Sequence, residues 1–129
     1  MNKKQQGDIG VAKAIYYYTA LGMIVSAPLT DNAKYDLIVD NKNKINRIQI
    51  KTSSYKVKSG SYEVQLKTTG GNQSWQGSVS KIDAENADVL FVVCDDGSMY
   101  EFPPEVFDKR TTITLGKEYE KFRVGLDRW

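Results

Sequence analysis

The chain contains no histidine and a single cysteine, Cys94. These absences exclude Ser-His-Asp hydrolysis, Cys-His nucleophiles, histidine-ligated zinc and thiolate zinc clusters. The chemistry that remains depends on carboxylates, amides, lysine and a hard metal ion such as Mg²⁺, which prefers oxygen ligands. One cysteine also allows no intramolecular disulfide, which is typical of a reducing compartment. We therefore predict a cytoplasmic protein in which Cys94 is a small buried apolar residue.

Long hydrophobic runs are missing as well. No apolar stretch approaches the ~20 residues that a membrane helix needs. The first six residues are polar and lead directly into a helix signal, unlike a secretory leader. A length of 129 residues suits one domain. We predict that residues 1–129 form a single domain with no membrane partner.

The charges are segregated along the chain. The segment from Lys42 to Lys67 carries seven basic residues and one acid, whereas the segment from Asp83 to Asp108 carries eight acids and no base. Segregation of this kind suggests one surface that binds a polyanion and another that does not. The charges alone, however, favour the interpretation of two ordinary solvated surfaces.

One long helix is predicted near the N-terminus. Apolar residues near helical spacing indicate a helix from Asp8 to Leu21, and Gly22 is placed to end it. The three consecutive tyrosines, Tyr16–Tyr18, predict one or two core residues and one exposed ring. A role of the helix in pairing subunits is a further hypothesis.

Strand signals occupy most of the remaining chain. The run from Ala87 to Cys94 is almost entirely apolar, as expected of a strand buried on both faces, and a turn at Asp95–Gly97 follows it. A glycine-rich loop is predicted at Thr68–Ser78. The other predicted strands are Met23–Val25, Ser61–Lys67 and Ser98–Phe102. Together these elements predict an α/β fold with a mixed, largely meandering β-sheet.

The strongest local pattern is a pair of β-like runs joined by a polar turn. The runs are Tyr35–Asp40 and Ile45–Lys51, and the turn is Asn41–Lys44. A turn centred between its second and third residues fixes the register of the whole hairpin.

In this register three polar side chains share one face. Asp36 lies opposite Gln49, and Lys51 shares their face because alternate residues of a strand point the same way. Ile48 and Ile50 then point into the core. Asp36, Gln49 and the Ile50 carbonyl offer oxygens to a divalent metal, and Lys51 can position a water or stabilise charge on a phosphate. This is chemistry for phosphodiester hydrolysis, although a solvated pair on an amphipathic hairpin is the alternative.

The motif Asp36-(12 residues)-Gln49-Ile50-Lys51 resembles the PD-(D/E)XK nuclease core, with glutamine in place of the usual acid. Three further segments are similar to one branch of that superfamily, the group I intron homing endonucleases of cyanobacteria and their relatives, which have the QxK variant. These segments are Gly7–Gly10, Ala87–Leu90 and Met99–Pro103. The resemblance covers most of the chain. It implies a PD-(D/E)XK nuclease-like mixed sheet flanked by helices, and an endonuclease that requires Mg²⁺ (or Mn²⁺) and cleaves double-stranded DNA as a homodimer or homotetramer.

One position departs from that family. Relatives usually carry a glutamate in the first helical turn, where this chain has Val11, and that acid helps to bind metal. Asp8 lies three residues earlier on nearly the same helical face and is a candidate catalytic substitute, or it only caps the helix. The departure leaves a DNA- or protein-binding module on the same fold as an alternative to a working endonuclease. A Holliday-junction-type resolvase, which shares the core, is a further alternative.

Several other residues are candidates for DNA contact, because lysine and arginine bind phosphates while aromatic and amide side chains reach bases. For each of them, surface or loop packing is the alternative. The candidates are Lys42, Lys44, Arg47, Lys56, Lys58 and Trp75, with Tyr55 and Gln76 beside them.

Overall fold

A computed structural model of the chain describes residues 1–69 and 79–127. The predicted loop Thr68–Ser78 falls largely in the gap between these ranges, so Trp75 and Gln76 lie outside the described residues.

Helix α1 spans Lys3–Ala20, so it begins five residues before the predicted start. A capping box starts the helix: the Asn2 side chain accepts from the Gln5 N–H, and the Gln5 side chain accepts from the Asn2 N–H. Gly22, with φ +85°, ends the helix as predicted. Asp8 therefore lies inside the helix and does not cap it, and Val11 is in the third turn, not the first. Sequence reasoning missed the start because the first turn is wholly polar and carries no hydrophobic period.

The buried face of α1 is not the apolar stripe that predicted the helix. Ile9, Ile15 and Tyr16 on that stripe are exposed. The buried residues are Gly10, Ala14, Tyr17 and Tyr18. The prediction for the three tyrosines is thus confirmed, with two rings in the core and one outside.

Gly10 lets α1 lie close against the sheet. A Cβ at this position would lie 2.5 Å from Cγ2 of Thr52 and 3.3 Å from Cγ2 of Ile50. Only a residue without a side chain fits this contact, which fixes the N-terminal half of α1 over the strand that carries both residues.

Among the described residues, six strands form the main sheet, in the order β1-β2-β3-β7-β8-β10. Their neighbours are antiparallel except β3 and β7, which pair in parallel. The strands of this sheet are β1 Ile24–Ser26, β2 Leu37–Asp40, β3 Ile45–Ser53, β7 Val89–Cys94, β8 Met99–Phe102 and β10 Arg123–Val124. The mixed character of the sheet is confirmed, but a meander is wrong at its centre, because β3 reaches β7 by a crossover.

Two small ribbons and two short helices make up the rest of the fold in the ranges that the structure describes. The predicted strand Ser61–Lys67 is divided between β4 and β5, which belong to different ribbons, β4-β9 and β5-β6. The bounds are β4 Glu63–Gln65, β5 Lys67–Thr69, β6 Val79–Lys81, α2 Pro104–Phe107, β9 Thr112–Thr114 and a 3-10 helix Lys117–Phe122. The prediction of an α/β mixed sheet flanked by helices is confirmed.

The sheet separates two apolar cores. One lies under α1 and includes Ile48, Ile50 and Phe91. The other lies on the opposite face, under the β4-β9 ribbon, and includes Val64, Leu90 and Phe102. β7 contributes to both cores, as its apolar sequence predicted. In the described part of the chain, no helix is both long and apolar enough to cross a bilayer.

Candidate active site

The β2-β3 hairpin has the predicted register. Leu37 pairs with Ile48 and Asp40 with Ile45, and the Asp36 N–H donates to the Ile48 carbonyl at 2.8 Å. In the turn, Lys42 adopts φ +78° and the Asn41 side chain accepts from two backbone N–H groups. Local turn chemistry therefore sets which residues share a face. The paired residues end at Leu37 and Ile48, and Asp36 and Gln49 follow directly on the two chain segments.

Asp36 and Gln49 are in direct contact. Gln49 Nε2 donates to Asp36 Oδ2 at 3.0 Å, and the Ile50 N–H donates to the same oxygen at 2.7 Å. None of the described residues hydrogen-bonds the other carboxylate oxygen, Oδ1. Because a carboxylate only accepts, the amide nitrogen of Gln49 must face it, which turns the amide oxygen of Gln49 away.

The electrostatics of this end of the hairpin are dominated by burial. Gln49 is 8% exposed, and Asp36 and Lys51 are half-buried. Burial raises the pKa of Asp36, although the Ile50 N–H and Lys51 act in the opposite direction. Burial also lowers the pKa of Lys51 against the attraction of Asp36. The two charges therefore compensate each other only partly, which is common at functional sites.

The edge of β3 beyond Asp36 has no strand beside it on the β2 side within the described ranges. β2 begins at Leu37, whereas β3 continues to Ser53 and pairs with β7 on its other edge. Since the N–H and C=O of one strand residue point to the same edge, the Ile50 carbonyl lies on the side where its N–H meets Asp36. The Asp36 carboxylate and the Ile50 carbonyl thus lie at this edge, and the Gln49 amide presents its nitrogen to the carboxylate.

This donor set fits a hard divalent ion. Mg²⁺ and Mn²⁺ prefer oxygen ligands, which Asp36 and the Ile50 carbonyl supply, and Gln49 would add its amide oxygen after a rotation of the amide group. In the described ranges no group of three or more Asp, Glu, Cys or His residues could bind a metal. At this end of the hairpin, Asp36 is the carboxylate that contacts Gln49 and Ile50.

The structure does not bring Asp8 to this site. Asp8 is exposed on α1, and its side chain forms no hydrogen bond with the described residues. Val11 packs against the core under α1 and offers no oxygen. A catalytic role for Asp8 stays a prediction without a contact to support it.

Lys51 is connected to a part of the chain that sequence reasoning did not link to it. Its Nζ donates to the carbonyl of Lys67 at 3.3 Å, at the start of β5. On the neighbouring residue of β3, Thr52, the Oγ1 accepts from Gln6 of α1 at 3.2 Å. Sequence separations of 16 and 46 residues gave no local signal for either contact.

The candidate DNA-binding residues differ in whether their charged groups are free to contact a phosphate. Lys42, Lys44, Lys56 and Lys58 are exposed, as phosphate contacts require. Arg47 is not available in the same way, because its guanidinium binds both carboxylate oxygens of Asp88 at 3.1 Å and donates to the Glu85 carbonyl at 2.6 Å.

Cys94 is a core residue, as predicted. It is buried in the second apolar core, and burial raises the pKa of its thiol to about 11. A thiol in this state is a poor nucleophile.

Comparison with known proteins identifies the family. The family described as PD-(D/E)XK endonuclease matches residues 1–124. The chain belongs to the PD-(D/E)XK endonuclease family. The recognition made from the hairpin motif is therefore confirmed.

A bacterial homing endonuclease is also similar in three dimensions. The solved structure of the bacterial homing endonuclease I-Ssp6803I superposes with a TM-score of 0.76 and 28% sequence identity, over 91% of this chain and 80% of that chain. The search of curated proteins returned no match. The similarity extends over nearly the whole fold, so the hairpin motif lies in the structural context that its family requires.

Proposed function

We propose that the chain is a divalent-metal-dependent endonuclease that hydrolyses phosphodiester bonds in double-stranded DNA. The observation that carries this proposal is the meeting of Asp36, Gln49, the Ile50 carbonyl and Lys51 at the open edge of β3. Membership of an endonuclease family and likeness to a homing endonuclease support it.

Asp36, Gln49 and Ile50 would hold Mg²⁺ or Mn²⁺ through oxygen atoms. When bound, such an ion lowers the pKa of a water and stabilises negative charge on the phosphate. The Ile50 N–H orients the Asp36 carboxylate through Oδ2, and Oδ1, which no described residue hydrogen-bonds, would be available to the ion. One carboxylate and two neutral oxygens predict modest affinity for a single ion.

Lys51 acts on the phosphate or on the attacking water. Its side chain comes from the strand that supplies Gln49 and Ile50, so it approaches the reacting phosphate from a fixed backbone position. Its ammonium can donate to a non-bridging phosphoryl oxygen or orient the water. The contact with the Lys67 carbonyl restricts the side chain before DNA arrives.

A second candidate function is DNA binding without cleavage. It is favoured by Val11, whose side chain supplies no oxygen, and by the absence from the described residues of a cluster of three or more acidic, cysteine or histidine ligands. For the cleaving form we propose a homodimer or homotetramer, because cutting both strands of a duplex calls for two symmetric sites.

The test is cleavage of plasmid and genomic DNA with Mg²⁺ or Mn²⁺. We expect metal-dependent nicks or double-strand breaks that Lys51→Met abolishes and that Lys13→Met, at an exposed position on α1, leaves unchanged. Binding without cleavage in either metal would favour the second candidate. A strong preference for four-way junctions over linear duplex would indicate a resolvase.

A further inference from the structure

A groove runs along the open edge of β3, beside the candidate active site. It has a volume of about 440 Å³, and we call it the β3-edge groove. Its floor is the segment 50–55, one wall is the first turns of α1, and the other wall is formed by β4 and the start of β5. The wall residues are Lys3, Gln6, Gly7, Glu63, Gln65 and Lys67.

The groove is continuous with the candidate active site. Ile50 and Lys51 line it, and both also belong to the set proposed for catalysis. The strand part of its floor, residues 50–53, covers about 10 Å at ~3.3 Å per residue. This is the axial length of about three nucleotides of one DNA strand.

The lining suits a chain of phosphates. Lys3, Lys51 and Lys67 bring three positive charges, and Glu63 is the single acid among the lining residues. Gln65 Nε2 donates to Glu63 Oε1 at 2.9 Å, so part of that negative charge is compensated within β4. Lys3 and Lys67 are exposed and form no ion pair with a described residue.

Most of the other lining groups are hydrogen-bond donors. Gln6, Thr52 and Ser54 carry amide or hydroxyl groups, and the Thr52 N–H points to the groove side by the alternation of the strand. At the far end the ring of Tyr55 is 63% exposed. Phosphate oxygens only accept hydrogen bonds, and an exposed aromatic ring can stack on a base, so the groove matches the backbone of a nucleic acid strand.

We propose that the β3-edge groove binds the DNA strand adjacent to the scissile phosphate, with Lys3 and Lys67 in contact with its phosphates. This inference rests on the proposed function and extends it to two lysines on opposite walls. It also assigns the path of the strand: away from Lys51 toward Tyr55, not toward the hairpin turn.

The first experiment removes the positive charges of Lys3 and Lys67. Its control removes two positive charges at exposed positions outside the groove. Lys3→Ala/Lys67→Ala is compared with Lys13→Ala/Lys117→Ala, which removes two exposed lysines outside the groove. Affinity for a short random-sequence duplex is measured by fluorescence anisotropy over a range of salt concentrations. We expect the groove variant to reduce the slope of log K against log salt by about 1 for each phosphate interaction that it removes. The control pair changes the slope by much less, and equal changes in the two variants would overturn the proposal.

The second experiment fills the groove without disturbing the fold. Gly7 lines the groove, and a Cβ added there meets nothing within 4 Å. Gly7→Gln and Gly7→Glu add side chains of nearly equal size, and both should keep or raise the melting temperature because glycine is a poor helix former. We expect Gly7→Glu to lower DNA affinity at least about tenfold relative to Gly7→Gln, because it places a negative charge beside phosphates.

Failure of this inference can be told apart from failure of the proposed function. If the wild-type protein binds and cleaves DNA in a Lys51-dependent way while Gly7→Glu behaves like Gly7→Gln, the assignment of the groove is wrong and the function stands. If the wild-type protein shows no salt-dependent binding to DNA, both are wrong.

Discussion

The two ends of β3 carry charged side chains on the same face of the sheet. The surroundings stabilise the charged forms at one end and destabilise them at the other. At one end Arg47 and Asp88 form a forked ion pair, and the hydrogen bonds from Arg47 lower the pKa of Asp88. At the other end burial raises the pKa of Asp36 and lowers that of Lys51. Arg47 and Lys51 are on one strand and point to one face, so the difference comes from their partners.

The difference indicates that Arg47 and Asp88 form a structural ion pair, whereas Asp36 and Lys51 form a site whose charges are not fully compensated by the protein. The guanidinium of Arg47 donates to both carboxylate oxygens of Asp88 and to the Glu85 carbonyl, which satisfies most of its N–H groups. Asp36 and Lys51 are partly desolvated and only partly compensated, so a bound cation and a phosphate would complete them. The sequence alone made Arg47 look like a DNA contact, because Asp88 is 41 residues away.

The largest expected effect comes from removing the charge of Asp36. Asp36→Asn should reduce cleavage by at least about 10²-fold, since the carboxylate proposed to hold the metal is replaced by a neutral amide. The amide oxygen of the variant can still accept from Gln49 and the Ile50 N–H, so the melting temperature should equal or exceed that of the wild type. Plasmid cleavage and thermal melting measure the two quantities. Full activity of this variant would remove Asp36 from catalysis.

The matched change at the other end is Asp88→Asn. It should lower the free energy of unfolding by about 1–2 kcal/mol, because Arg47 loses a charged bidentate partner at a half-exposed position. The cleavage rate of the folded enzyme should change by less than about threefold, well below the change expected at a catalytic group. Urea denaturation and single-turnover cleavage test this. A loss of cleavage as large as that of Asp36→Asn would show that the two ends do not differ as described.

An acidic side chain added on α1 should increase the difference between the two ends of β3. Val11→Glu supplies a second carboxylate to the end that now has one, and we expect the metal concentration for half-maximal cleavage to fall about tenfold. Val11 packs against the core under α1, so the variant should melt at a lower temperature than the wild type. Val11→Gln, which adds bulk and polarity without charge, is the control. An unchanged metal requirement would mean that this position does not reach the ion.

The smallest expected effect is a pH dependence at the structural end. Because Arg47 lowers the pKa of Asp88 below 3.8 in the folded state, the unfolded chain binds that proton first as the pH falls. The stabilisation by the pair is therefore complete above pH 3.8 and is lost as the pH falls through the lower, folded value. Melting temperatures of the wild type and Asp88→Asn should converge below pH 3.8. A constant difference down to the lowest pH would contradict the pKa argument.

The sequence by itself determined the hairpin and the identity of the residues on it. Strand alternation and a polar four-residue turn are local properties, so the register that brings Asp36 opposite Gln49 follows from neighbouring residues alone. The same holds for β7, whose continuous apolar run requires burial on both faces. The start of α1 was also encoded locally, in the Asn2–Gln5 capping box. Because the first turn is polar, the hydrophobic periodicity did not predict it.

Only the tertiary structure decided which residues surround the hairpin. The parallel pairing of β3 with β7, the capture of Arg47 by Asp88 and the β3-edge groove between α1 and β4 all join segments far apart in the chain. Such contacts depend on how the two apolar cores pack on the sheet, so the hydrophobic periodicity of a single segment does not predict them. For the same reason the sequence could propose Asp8 as a substitute acid, while the packing of α1 through Gly10 leaves Asp8 exposed.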